Sequence, residues 1–244
     1  MSLLFYCIYR HPGPRIAGLL GVGRQPVHQI SHRSLAAAVS RIDSSELAPD
    51  LNRVRAYERV VNSCNRRGTV IPLRYGCVAA HENMVIELLD ENEPHYESLL
   101  QELDGCVELG LRVLLPAANP GASAGSREIA GPPSAASPAP PQRLGLAYLT
   151  ARKAHYAHQD RWTEEYRQIS ERCLARFAGL FVKHRMEAPS PRLPLLSLYF
   201  LTPCRAVETF RRAFRQLTET ESARLLLSGP WPPYNFVVSR SGLI

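Results

Sequence analysis

Apolar positions along this chain fall into two rhythms. Leu3 to Tyr9 is an almost unbroken apolar run, short enough for one strand and bounded by His11, Pro12 and Gly13. Val27 to Ile30 reads as a second short strand. Ser34 to Ser40 is ambiguous, since its alanines permit helix, but its brevity and neighbours favour strand. Asp50 then stands where a helix cap belongs, ahead of Leu51, Val54, Val61 and Cys64 at helical spacing, and Gly68 stops that helix. Val70 to Leu73 is extended, with Pro72 confining it to an edge or bulge. His81 to Asp90 and Pro94 to Leu103 read as two helices or one broken helix, and Val107 to Leu114 alternates as a strand.

The second half begins at Leu144. Residues 144–158 and 161–184 form a long helical tract in which Trp162, Tyr166, Ile169, Cys173 and Phe177 make an apolar stripe. Arg161–Glu165 and Arg167–Glu171 are spaced to pair along it. Leu193 to Leu201 predicts a strand. Thr202 predicts a cap with Pro203 at the first helical position, and Val207, Phe210, Phe214 and Leu217 form the apolar face that follows. Tyr234 to Val238 predicts a final strand, reached through Ser228-Gly229-Pro230-Trp231-Pro232-Pro233. One further short strand is expected, near Met186 to Pro189 or at Ala223 to Leu227. The fold class is therefore α+β in two domains. Residues 1–105 form a small mixed α/β sandwich, and residues 106–244 a ferredoxin-like domain.

Between the two halves, 22 of the 28 residues from Pro116 to Arg143 are Ala, Pro, Gly or Ser, which cannot build a core. This stretch reads as a disordered insertion after the first strand of the second domain. Charge divides along the same line. Residues 1–115 carry 12 Lys/Arg against 13 Asp/Glu, and residues 144–244 carry 15 against 8, within a net charge of +7. A basic second half fits nucleic acid, an acidic protein surface or solubility alone.

Chemistry is harder to find. Gly18-Leu19-Leu20-Gly21-Val22-Gly23 has the wrong order for a dinucleotide fingerprint and lacks the lysine of a phosphate loop. His155 and His158 share a predicted helix face but lack a third metal ligand, and His28 with His32 reads as a surface pair. The six cysteines are scattered without any Cys-x-x-Cys, as expected of reduced, inert thiols. No Gly-x-Ser-x-Gly occurs. Tyr199 and Phe200 lie on a strand that would suit base stacking, yet the motif of an RNA-binding sheet is missing, so nucleic-acid binding stays the alternative reading. No apolar run approaches the roughly 20 residues of a membrane span. Leu3 to Tyr9 also lacks the basic flank of a signal peptide, so a cytoplasmic protein without cofactor or metal is expected.

Several segments, in order, resemble the GvpF/GvpL family of gas vesicle proteins. They are the opening strand to Tyr9, Tyr57-Glu58-Arg59-Val60-Val61, and Thr69-Val70-Ile71-Pro72-Leu73-Arg74-Tyr75-Gly76. Three more follow: Val107 to Val113, Leu146 to Lys153, and Gly229-Pro230-Trp231-Pro232-Pro233-Tyr234-Asn235-Phe236. Two departures stand out: Tyr57 occupies a position where the family commonly has histidine, and the Ala/Pro/Ser loop is longer. The resemblance implies a non-catalytic accessory protein of gas vesicles, which are hollow shells built from a small hydrophobic subunit. It implies two α+β domains, the second ferredoxin-like, and binding to the major shell subunit during nucleation or assembly. Other accessory proteins are further expected partners, and retention as a minor shell component is a further expectation. Arg74, Tyr75, Trp231 and Tyr234 are the expected protein-binding residues, because a guanidinium fork and large aromatic faces anchor interfaces. The competing reading is that Arg74 ties the domains together and Trp231 packs in their seam.

Overall fold

The computed structural model describes residues 2–43, 47–48, 50–114, 164–189 and 195–237. The first apolar run becomes β1 (Ser2–Arg10), the centre of a sheet that also holds β2 (His28–His32), β3 (Leu35–Ile42), β4 (Ile71–Pro72) and β5 (Val78–Ala79). The order is β2-β3-β1-β4, with β5 also on β1, and every pairing is antiparallel. Both faces of this sheet are covered, so β1 needs apolar residues at consecutive positions rather than at alternate ones. Leu3, Phe5 and Ile8 point into one core, and Leu4, Tyr6, Cys7 and Tyr9 into the other. A register shift between Phe5 and Cys7 is what changes the parity.

Helix α1 (Leu51–Asn65) covers the second core with Tyr57, Val60, Val61 and Cys64. Asp50 caps it as expected, accepting from the amides of Asn52 and Arg53 at 2.8 and 2.9 Å. Leu51, however, is 65% exposed, so the apolar stripe begins a turn later than its spacing predicts. Helices α2 (Glu82–Glu91) and α3 (Glu93–Leu103) cover the first core with Val85, Leu89, Tyr96, Leu99, Leu100 and Leu103. Ion pairs pin them to the sheet: Arg33 reaches Asp90 and Glu93, and Arg10 reaches Glu97.

The second sheet contains β6 (Cys106–Leu114), β7 (Lys183–Glu187), β8 (Leu196–Pro203) and β9 (Arg224–Trp231), in the order β7-β8-β6-β9 and antiparallel throughout. Helices α4 (residues 164–176) and α5 (Val207–Thr220) back one face. Chain order is thus strand, helix, strand, strand, helix, strand. Their shared core is aromatic at its centre: Phe177 stacks on Phe210 at 4.0 Å, and Phe200 meets both at 5.1–5.4 Å. Together the two sheets make a mixed α/β architecture.

Four expectations change here. The tract beginning at residue 161 stops being helical at 176, because Gly179 takes a φ of +79° that L side chains rarely adopt, and the chain then enters β7. Both candidate extra strands exist, as β7 and β9, rather than one of them. Thr202 does not cap α5. The ladder continues through Cys106–Pro203, and α5 starts only after a 3-10 turn, Cys204–Ala206. The expected strand from Tyr234 does not form over its described part, residues 234–237: Tyr234–Phe236 is a 3-10 turn, and Val238 lies outside the described residues. Pro232 and Pro233 have no N–H to offer a ladder, the Tyr234 amide turns back onto the Pro232 carbonyl at 2.8 Å, and the Asn235 amide is taken by a side chain. The predicted helix 144–158, Trp162, His155, His158, the Arg161–Glu165 pair and the insertion 116–143 lie outside the described residues.

Candidate functional site

The expected site residues come from two segments, the loop after β4 and the end of β9 with the turn that follows it. Four phenols gather beneath them. Tyr6 and Tyr57 stack at 4.9 Å, and Tyr75 meets Tyr57 edge-on at 5.4 Å. Tyr234, from the far end of the chain, packs against the same core. Tyr57 is buried, and its hydroxyl donates to the carbonyl of Leu73 at 2.8 Å and towards that of Tyr6 at 3.3 Å. Burial raises the pKa of Tyr57 well above the ordinary phenol value, with Tyr234 contributing next. Burial likewise raises that of Tyr234. Tyr57 and Tyr234 stay neutral, and the group packs as aromatic faces with polar ends.

A single carboxylate holds the turn in place. Glu108, on the face of β6 away from α4 and α5, is 4% exposed. One oxygen accepts from the Asn235 amide at 2.8 Å, and the other from the Asn235 Nδ2 at 2.6 Å. Burial raises the Glu108 pKa, and these two hydrogen bonds offset part of the rise. From β7, the Arg185 guanidinium donates to the Asn235 carbonyl at 2.6 Å. Asn235 is thus held at its amide, its carbonyl and its side chain. Phe236 and Val237 follow it into the first core, which also receives Leu201 of β8. Lys183–Glu102 at 2.6 Å ties β7 to α3 and so binds the two sheets further.

The four expected contact residues therefore separate into two kinds. Tyr75 and Tyr234 are partly buried against the α1 core. Trp231, the last residue of β9, stays 43% exposed, and Arg74 is exposed and makes no ion pair among the described residues. Gly229 shapes the approach to Trp231. Its φ is +104°, and a Cβ there would lie 2.6 Å from the Glu108 carbonyl oxygen. Glu108 and Asn235 were not singled out by the sequence. Alternation places Glu108 on an outward face, and nothing local says that the end of the chain will cover it. Among the described residues no group of three or more His, Cys, Asp or Glu side chains is placed to hold a metal ion.

The fold defines a mixed α/β protein of two helix-backed sheets, joined through its own C-terminal turn. The chain belongs to the family described as gas vesicle synthesis protein GvpL/GvpF, which it matches over residues 2–238. It is 28% identical to gas vesicle protein F of Streptomyces sp. (strain CB03234), over 97% of this chain and all of that one. It is 26% identical to gas vesicle protein L of the same organism, over 90% of this chain and 86% of that one. Its fold is that of the GvpF crystal structure from Anabaena sp. PCC7120, with a TM-score of 0.73 and 18% identity over 98% of this chain and 96% of that chain. GvpF from Microcystis aeruginosa superposes with a TM-score of 0.72 and 16% identity, over 98% and 99% of the two chains. The chain is a gas vesicle accessory protein and not an enzyme.

Proposed function

We propose that this chain binds the major hydrophobic shell subunit of gas vesicles and assists vesicle nucleation or assembly. The observation that carries the proposal is the family match over nearly the whole chain, including both segments that supply the expected contact residues. The physical logic is that a self-polymerising apolar subunit needs a partner to cover it until it joins the shell. Trp231 and Arg74 are the contact residues: both are exposed, one offers a large aromatic face, and the other a fork of donors with no ion pair among the described residues. Tyr75 and Tyr234 support them from beneath. The protein works in the cytoplasm on growing vesicles, meets other accessory proteins there, and is retained in part as a minor shell component.

The strand and helix order of residues 106–237, with the sheet order β7-β8-β6-β9, supports reading 106–244 as a ferredoxin-like domain carrying the 116–143 insertion. Residues 1–105 are then the N-terminal domain. No helix among the described residues is long and apolar enough to cross a membrane.

Co-expression with the major shell subunit of the same gene cluster, followed by co-purification at low and high salt, tests the role. A stable complex is expected. Trp231→Ala is expected to weaken it while moving the unfolding free energy by less than about 1 kcal/mol, as for an exposed side chain. Absence of any complex from folded, soluble protein overturns the proposal. A complex indifferent to both Trp231→Ala and Arg74→Ala overturns the contact residues.

A further inference from the structure

Edge strands expose a row of unpaired backbone donors and acceptors, and proteins usually blunt them. Most edges here are blunted. β9 carries a register shift opposite Glu108–Gly110 and ends in Gly229-Pro230-Trp231. In the first sheet β4 and β5 are two residues each, and β2 is held against α2 by His32–Asp90 at 3.0 Å. β7 is blunted least: the Lys183–Glu102 pair ties its first residue to α3, but the strand has no register shift, is not cut short and has no other tie to an α-helix among the described residues. It pairs with β8 in unbroken register from Lys183 to Glu187, contains no Pro or Gly, and is exposed at all five positions. No other strand among the described residues lies on its free side.

Its two faces differ in chemistry. His184 and Met186 pair with Phe200 and Leu198 and so lie on the face of the aromatic core, where Val182 just before the strand has the same parity. Val182 and Met186 are each 56% exposed. Lys183, Arg185 and Glu187 lie on the opposite face, beside Leu201, Tyr199 and Ser197. Lys183 is neutralised by Glu102, and Glu187 accepts from the Tyr199 hydroxyl at 2.9 Å. Arg185 has only the Asn235 carbonyl, leaving its charge without a carboxylate among the described residues.

We infer that β7 is a strand-addition edge for an extended segment of another protein in which apolar side chains alternate with carboxylates. Backbone pairing supplies the common affinity. Apolar side chains then meet Val182 and Met186, and a carboxylate meets Arg185 on the other face. A second copy of this chain fits less well. Antiparallel pairing centred on Arg185 sets two guanidiniums opposite each other, and both copies carry +7. The inference does not depend on which protein supplies the strand, so it stands or falls apart from shell-subunit binding.

The test uses the full chain and short capped peptides that alternate Val with Glu, alternate Val with Lys, or scramble the Val/Glu order. Fluorescence anisotropy reads affinity, and hydrogen exchange reads the site. The alternating acidic peptide is expected to bind best and to protect amides only in 182–187. Arg185→Glu is expected to weaken it about tenfold and to favour the Val/Lys peptide. Met186→Lys, which leaves the Arg185 bond to Asn235 intact, weakens it independently of any disturbance of the turn. Equal binding of all three peptides, protection elsewhere or nowhere, or self-association of the free chain that protects 182–187 would each overturn the inference.

Discussion

Glu108 is the residue whose chemistry is most at odds with its surroundings. Water no longer reaches its carboxylate, and only the two Asn235 donors replace it. Its pKa is raised in the folded chain, so the folded state holds the proton to higher pH than the unfolded state does. The sign follows: the stability linked to this proton is fully present below the unfolded carboxyl value and is lost as pH rises through the folded one. Glu221, paired with Arg172, goes the other way, because its lowered pKa adds stability that disappears as pH falls. Glu108→Gln removes the titration while keeping the shape. Urea unfolding of wild type and variant at pH 5 and pH 8 should show wild type faring relatively better at pH 5. A difference that is flat with pH would mean that Glu108 does not titrate in this window.

At the scale of elements, the end of β9 that leads into the last 3-10 turn is set by backbone geometry that no side chain can share. Gly229→Ala forces a Cβ against the Glu108 carbonyl at a φ unfavourable to alanine. The expected cost is about 2–3 kcal/mol, seen as a lower midpoint in denaturant without a change of slope. Gly18 is the control, since its φ of +80° carries the same strain but a Cβ there meets nothing within 4 Å. An equal loss at both positions would assign the whole effect to φ rather than to the close approach. The helices obey simpler rules. Asp50 caps α1 where its sequence position says it should, whereas α5 starts without a side-chain cap because β8 keeps Thr202 and Pro203 in its ladder.

For the whole molecule the question is how the two sheets depend on each other. Tyr234 is the clearest link: it sits more than 170 residues from Tyr57 in sequence yet shares a core with it. Tyr234→Ala should cost about 3 kcal/mol, less than a fully buried aromatic at the upper end of that class. The loss should appear far from the substitution. Hydrogen exchange is expected to quicken in β1 and α1, while β6 and β8 keep their protection through the Phe177–Phe200–Phe210 cluster. Loosening confined to residues 224–237 would mean that the turn rests on the first sheet without supporting it.

The chain's own pattern determined much of this. The continuous apolar run of β1, the capped and periodic α1, the alternating β6 and the aromatic positions of α4 and α5 all rest on short-range periodicity and local capping, which need no knowledge of distant residues. The ordered motifs likewise identified the family, which the match over residues 2–238 bears out. Tertiary structure decided what depends on distant partners. The pairing of Cys106 with Pro203 moved the start of α5, and the demand of Glu108 for two donors made Tyr234–Phe236 a latched turn instead of a strand. Of the expected contact residues, Trp231 and Arg74 remained at the surface while Tyr75 and Tyr234 turned inward. Exposure is a property of the assembled faces, and an aromatic or a carboxylate carries no local mark of which face will be covered.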